Sequence, residues 1–445
     1  MTRIFIPKYL YINNTFLDGT AVVIKNDEII KILPVHQITD NYPEAEVIKL
    51  EEQVLLPGTV NVHNHSFQSL LRGIATDRPF LEWRDQALYR FSPRMSIEDI
   101  YNGALFAFGE MMKRGVTCVS DFFYLHNFGE ESDEAVIRAA KAVGMRLVLA
   151  RTMYDWEGAP SGYVESIPQA VNHTKFLARK YNNKDLMVNI LPAPHSLHGA
   201  SPEMIKAGHA LAKELHTCYH IHVAEEPFEV EQVKDEHGGL TPIEYLDYLG
   251  VVDEHMVIVH GVWLKNSEIA LLGKRKAKLT YCPSSNMFLA DGITDIPEYM
   301  KNGVLIGLGS DGACSNNRIS VFEEMRMVSI LQKARTVDAL CVNYQQAFDM
   351  GTINGGKLLE LPIGEIKVGY KADFVGIDIE DFSMMPISDN LEQLLANVVY
   401  SMEPTAIKTV VVNGNLTVAN GTLLMVEEAL IRDKVKETMK RLGSF

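Results

Sequence analysis

At 445 residues the chain is too long for one ordinary domain and long enough to bury a large core. With 47% hydrophobic and 22% charged residues it reads as a soluble globular protein, and a formal net charge of -15 argues against nucleic acid, which needs clustered Lys and Arg. No stretch approaches the ~18 apolar residues of a membrane span, and the opening MTRIFIPKYLYINNT lacks a signal-peptide core, so no membrane partner is expected. Five scattered cysteines (Cys118, Cys218, Cys282, Cys314, Cys341) without a C-x-x-C fit a cytoplasmic location and exclude a cysteine zinc knuckle.

Residues 1 to about 57 read as short strands and turns (RIFIP, TAVVIKNDEIIKIL, AEVIKL, QVLLPG), punctuated by Pro57-Gly58. From residue 59 apolar strand runs alternate with helical patterns. TVNVHNH precedes a helix near 96–114, with Ser96 as its cap and Gly115 suited to a left-handed end. VTCVSDF, a helix near 132–143, MRLVLAR, a helix near 167–181 and LMVNILPAP follow. Ser201-Pro202 opens the next helix, with a cap residue and then proline at the first helical position. TCYHIHVAE, a helix near 242–249, MVIVHG, one near 266–274, AKLTYCP, one near 295–302 and GVLIGLGSD complete the series.

Eight strand runs, each followed by something helical, predict a parallel sheet of the (β/α)8 TIM-barrel type. A doubly wound open sheet is the alternative, but no G-x-G-x-x-G opens a helix. After about 362 the chain returns to strands and turns in GEIKVGYKADFVGID and TVVVNGNLTVANGTLL, with Asn413-Gly414 a tight-turn signal and a closing helix near 426–442. The expected organisation is α/β: residues 1–57 and 363–445 form a small composite β-sandwich domain with a C-terminal helix, and the barrel, 58–362, is inserted between them.

Barrel active sites sit at the C-terminal ends of the strands, so the polar residues there carry the information. His63 and His65 end strand one, His195 follows strand four, His220 and His222 end strand five with Glu225 beyond, His260 ends strand six, and Asp311 ends strand eight. One histidine at a strand end is more often a hydrogen-bonded structural group than a ligand. Concurrence at one mouth is what points to metal. His63, His65, a further imidazole and a carboxylate suit one divalent transition metal, zinc first, with room left for water whose pKa the ion lowers toward ~7. His222 is the preferred third imidazole, because Glu225 then faces the substrate; His220 is expected to pack or support. Asp311 is placed both to ligate and to take the water's proton. LMVNILPAPH offers no lysine to bridge a second metal.

The segments PGTVNVHNH, HIHVAEE, VIVHG, GSDGACSNN and GEIKVGYKADFVGID resemble the amidohydrolase superfamily over almost the whole length, in the deaminase and chlorohydrolase branch that keeps one metal. The resemblance implies that His63, His65, His222 and Asp311 hold zinc or iron. It further implies that Glu225 shuttles a proton, His260 orients the water or stabilises charge, and His195 touches the small-molecule substrate. A homo-oligomer is also what it implies. The implied reaction is hydrolysis at an amidine-type carbon: water adds, Asp311 takes its proton, Glu225 protonates the neighbouring ring nitrogen, and ammonia leaves. The H-x-E/P-C-x-x-C deaminase chemistry is a different one, and its cysteine pair is absent.

For the substrate, Gln68, Trp83-Arg84 and Tyr124 resemble formimidoylglutamate deiminase. That enzyme class has an arginine after APHSL to grip a carboxylate, where this chain has His198. CPSSNMFLADG and SDGACSNNRISVFEEMR look more like deaminases of aminated heterocycles such as adenosine derivatives, oxidised guanine or pterins, and this is the preferred reading. Gln68, Arg84, Tyr124, His195 and His198 are the substrate-binding candidates; Gln68 and Arg84 equally suit polar positions near the mouth, and Trp83 and Tyr124 core or rim. Two other readings stay open: a triazine-type chlorohydrolase, and a non-catalytic scaffold descendant. The scaffold is disfavoured by the full ligand set and Glu225.

Overall fold

Residues 1–183 and 185–443 are described by the computed structural model. The first strands are β1 (Thr2–Ile12), β2 (Thr15–Asp18), β3 (Thr20–Lys25), β4 (Glu28–Pro34) and β5 (Glu46–Pro57). Asn13 and Asn14, at φ 49° and 60°, make the two-residue turn that folds β2 back on β1, a conformation asparagine tolerates. β1 runs parallel to β5 and antiparallel to β3.

Two four-stranded parallel sheets follow. β6 (Thr59–Asn64), β7 (Val116–Phe123), β8 (Arg146–Met153) and β9 (Val188–Pro194) form one; β10 (Tyr219–Val223), β11 (Met256–His260), β12 (Lys278–Tyr281) and β13 (Leu305–Leu308) form the other. Nearly every residue in them is buried, as expected of strands covered on both faces. The two sheets touch at both margins: His222 N–H donates to the His195 carbonyl (3.0 Å), and Asp311 N–H to the His63 carbonyl (3.0 Å). The second approach is close enough to require Gly309, because a Cβ there would lie 2.7 Å from His63 Cβ. This is the (β/α)8 order expected from the strand and helix alternation, and it gathers the strand ends around one mouth.

The helices start where the cap chemistry indicated. Ser96 forms a capping box with Asp99 over Ile97–Lys113, and Gly115 follows at φ 79°. Ser201 caps Pro202–Leu215 by accepting from Met204 N. Three features depart from expectation. A helix Pro227–Glu236 precedes Pro242–Tyr248; a short helix Pro283–Phe288 follows β12 directly; and Val321–Thr336, Tyr344–Gly351 and Ile353–Leu358 fill the stretch after β13. Proline at the first turn starts the first two, and the buried face of Val321, Phe322, Met325 and Val328 holds the third. The return segment is likewise not all strand: a buried helix, Leu394–Tyr400, interrupts it.

β14 (Phe374–Asp378) pairs antiparallel with β5, from Phe374 opposite Pro57 to Asp378 opposite Gln53, and β15 (Ile407–Val412), β16 (Asn415–Ala419) and β17 (Thr422–Leu423) extend the sheet. Strands from both terminal segments thus lie in one nine-stranded sheet. Asn413-Gly414, at φ 53° and 76°, makes the β15–β16 turn. The closing helix is Glu428–Leu442. Among the described residues no helix is long and apolar enough to cross a membrane.

One ion pair ties this sheet to the β6–β9 sheet. Arg146 on β8 donates to both carboxylate oxygens of Asp373 (2.9 and 3.0 Å) and to Asn413 Oδ1 (3.0 Å), and both charged side chains are fully buried. Removing one partner strands the other charge in the interior. Arg146→Met is therefore expected to destabilise the protein by about 3–5 kcal/mol in urea titration, and Arg146→Met with Asp373→Leu to recover part of that loss. Equal destabilisation in both variants would show that the loss is packing and not charge.

Candidate active site

His63 is the penultimate residue of β6 and His65 directly follows the strand; both are buried. His65 Nδ1 lies 2.6 Å from the Phe122 carbonyl and His222 Nδ1 lies 3.0 Å from the His195 carbonyl. A carbonyl can only accept, so each ring carries its hydrogen on Nδ1 and turns a bare Nε2 inward. These nitrogens converge: His65 Nε2 is 3.3 Å from Asp311 Oδ1, and His63 Nε2 is 3.5 Å from that oxygen and 3.2 Å from His222 Nε2. Burial, reinforced by His63, holds the His65 imidazolium back, its pKa down to about 4; burial with His63 and His195 does the same to His222. Burial alone would raise Asp311, but the surrounding imidazoles, His63 first and then His65 and His260, outweigh it and hold the carboxyl well below its usual range. Inward lone pairs and a carboxylate, buried with little to neutralise them, are a donor set that fits a divalent cation. The ligand atoms of His63, His65 and Asp311 lie within 4.8 Å of one another, as do those of His63, His222 and His260.

Asp311 sits in the left-handed region (φ 57°), where its Oδ1 accepts from Gly312 N (2.7 Å) and its Oδ2 from Ser285 Oγ (2.6 Å). Opposite it, Glu225 Oε1 is 3.3 Å from His260 Nε2, and Glu225 N donates to Glu229 Oε2 (3.1 Å). Burial, with Asp291 and Glu229 nearby, pushes the Glu225 carboxyl well above its ordinary range, which favours its protonated form. Burial lowers His260 to about 3, against the opposing charge of Asp311, leaving it neutral.

These groups floor a cavity of about 350 Å³. Its walls include Trp83, Tyr89, Tyr124, Tyr154, Tyr163 and Phe228. The expected substrate residues all line it. Gln68 Nε2 donates to Tyr124 OH (3.1 Å), and its Oε1 is buried without a partner. Arg84 pairs with Asp85 (2.8 Å) and lies over the Tyr89 ring. His195 is 2.8 Å from Ser196 Oγ, and His198 is 3.5 Å from Glu229 Oε1. His220 lies outside the cavity lining, fully buried with neither ring nitrogen bonded.

The amidohydrolase family profile matches residues 54–417. The chain belongs to the amidohydrolase family. It is 33% identical over 437 residues to a 5-methylthioadenosine/S-adenosylhomocysteine deaminase of Syntrophomonas wolfei, covering 97% of this chain and 96% of the relative. It is also 33% identical to a 5'-deoxyadenosine deaminase of Methanobrevibacter smithii, covering 95% and 93%. Among solved structures, an adenosine deaminase from Xanthomonas campestris with bound zinc matches at TM-score 0.92 and 25% identity, over 100% of this chain and 99% of that one. This chain is accordingly a hydrolase with the amidohydrolase fold, a TIM barrel beside a sandwich domain.

Several residues of this amidohydrolase site escaped the sequence reading. Asp121 accepts from Ser66 N and Ser66 Oγ (2.6 Å each) and from Asn64 Nδ2 (3.0 Å), bracing the His63–His65 turn. It lies near the C-terminal end of the barrel strand β7, so the signal that found His63 applied equally to it. Ser285, Asn286 and Glu229 sit on short helices after strands, where no periodicity marks them. Tyr154 and Tyr163 come from the loop after β8, which has no motif.

Proposed function

We propose that the chain is a metal-dependent aminohydrolase, releasing ammonia from the amidine-type carbon of an aminated N-heterocycle: a purine, an adenosine derivative or a pterin. The reading is carried by Glu225, buried and placed 3.3 Å from His260 above a floor of inward imidazoles and Asp311, where burial favours the proton it would deliver. The adenosine-derivative deaminases among its relatives favour the first two substrates. His63, His65, His222 and Asp311 would hold one divalent metal, zinc first and iron second, which when bound acidifies water at neutral pH. Residues 58–362 would be the catalytic unit, and 1–57 with 363–445 the supporting domain. Five unpaired cysteines support a cytoplasmic location.

This chain's residues divide the proton work. Water oxygen bonds to the carbon bearing the amino group, and Asp311 takes the released proton. Glu225 gives its proton to the adjacent ring nitrogen, so the ring does not carry a negative charge. His260 donates to the oxygen as charge develops on it. The carbon–amino bond then breaks, Asp311 returns its proton to the leaving nitrogen, and ammonia departs. The oxygen's remaining proton passes to Glu225, leaving a lactam. His195 and the tyrosine walls hold the ring flat over this floor.

The test is ammonia release from the zinc-loaded enzyme with adenosine, 5'-deoxyadenosine, 5-methylthioadenosine, guanine, a pterin, formimidoylglutamate and a chlorotriazine. An adenosine-type substrate is expected to reach kcat/KM of about 10⁴ M⁻¹s⁻¹ or more. Turnover confined to formimidoylglutamate, or halide in place of ammonia, would overturn the reading.

A further inference from the structure

We infer that Asn286 is a positioning residue that fixes the tautomer of His260, placing its ring hydrogen on Nε2, so that His260 serves as a hydrogen-bond donor at the reacting oxygen and not as a metal ligand. The catalytic consequence rests on the function proposed above; the tautomer itself does not.

Asn286 is fully buried on the helix Pro283–Phe288, immediately after β12. Its Nδ2 lies 3.0 Å from Asp291 Oδ2 and 3.0 Å from His260 Nδ1. An amide nitrogen has two hydrogens and nothing to accept with, so both atoms it faces must be acceptors. His260 Nδ1 therefore carries the lone pair, and the hydrogen of the neutral ring sits on Nε2. Asp291 is what orients the amide: burial, opposed by the hydrogen bond from Asn286 and helped by Glu226, pushes its carboxyl up to about 9, and Oδ2 is the oxygen that accepts from Nδ2. Asp291 is in turn fixed, since its N–H donates to the Asn286 carbonyl (2.9 Å) and its own carbonyl accepts from Trp263 Nε1 (2.6 Å).

The backbone of His260 is held as firmly as its ring. It lies in the left-handed region at φ 74°, and its carbonyl accepts from Thr294 Oγ1 (3.0 Å). The Nε2–H that results points toward Glu225 Oε1 and the cavity floor. This decides between two overlapping donor sets. On distance alone His260 belongs with His63 and His222 as a ligand. Its Nε2 has no free pair to offer, whereas His65 and His222, bonded to carbonyls through Nδ1, do. Two kinds of partner, a carbonyl oxygen and an amide nitrogen, thus sort neighbouring histidines into ligands and a donor.

The test inverts the polarity facing His260 while conserving the pair and its charge. In Asn286→Asp with Asp291→Asn, the amide and carboxylate change places and Nδ1 meets an acceptor. The readout is the ¹⁵N spectrum of histidine-labelled, zinc-loaded enzyme, with His260 assigned through His260→Gln. Wild type is expected to show His260 protonated on Nε2 and the exchanged pair on Nδ1. Zinc content should stay at one equivalent, with kcat down about 100-fold, the loss typical of removing one oxyanion donor, and KM within about threefold. A wild-type hydrogen on Nδ1, a tautomer indifferent to the exchange, an inverted tautomer with kcat within about threefold, or loss of zinc would each overturn the inference. If the exchanged protein does not fold, the wild-type spectrum still decides the tautomer. Asn286→Leu then decides the consequence: kcat down at least tenfold with KM kept supports it, and unchanged kcat overturns it. An Nε2–H tautomer in an enzyme that deaminates no heterocycle would uphold the tautomer and retire the substrate reading.

Discussion

Glu225→Gln is expected to keep its metal and lose turnover by about 10³–10⁴-fold, the upper range for a positioned general acid. The two side chains have the same shape, and the Glu225 backbone stays bonded to Glu229, so geometry survives and only the mobile proton goes. Metal analysis and single-turnover ammonia release measure the two halves separately; near-normal turnover would remove Glu225 from the proton path. The same carboxyl makes a pH prediction. Because its pKa is raised in the folded enzyme, the protonated acid persists to higher pH than in an exposed glutamate, and kcat/KM should fall on the alkaline side as that proton is lost. The sign for stability is the same. Above about pH 4 the unfolded chain releases this proton while the native state keeps it, so the group's contribution declines as pH rises. Glu225→Gln should flatten that part of the melting-temperature profile.

His222→Ala should lose metal and activity together. His222 Nε2 is one of the inward lone pairs at the centre of the floor, 3.2 Å from His63 Nε2, and alanine leaves nothing in its place. Ligand binding stabilises a fold by mass action, about 4 kcal/mol when the ion is 1,000-fold above its dissociation constant. Wild type should therefore melt at a distinctly lower temperature after chelation, whereas His222→Ala should be indifferent to chelator. Stoichiometric metal retained in His222→Ala would sink its assignment as a ligand and leave His63, His65 and Asp311 to be completed by another group.

The parts legible in the sequence were those written in local chemistry. Strand runs buried on both faces, cap residues such as Ser96 and Ser201, and the Asn413-Gly414 turn each act within a few residues, and each lies where expected. Histidines at strand ends were legible because parallel strands converge. What stayed hidden depends on contacts between distant segments. Ser285 meets Asp311 across 26 residues and Trp83 donates to the Cys314 carbonyl across 231, and no pattern along the chain announces either. The helices after β13 were missed for a related reason: the buried face of Val321–Thr336 carries Glu324, Ser329 and Gln332 among its apolar residues, which blurs the 3.6-residue hydrophobic period that marks a surface helix.

The pairing of β5 with β14 has a consequence for synthesis. Roughly 320 residues separate the two strands along the chain. At 5–20 residues per second the ribosome needs about 15–60 s to deliver β14 after β5 has emerged. During that interval β5 can find β1, but its other edge stays open, with backbone donors and acceptors ready to template an unrelated strand. The nascent N-terminal sheet is thus where a chaperone, or quick docking of the inserted barrel, has the most to protect.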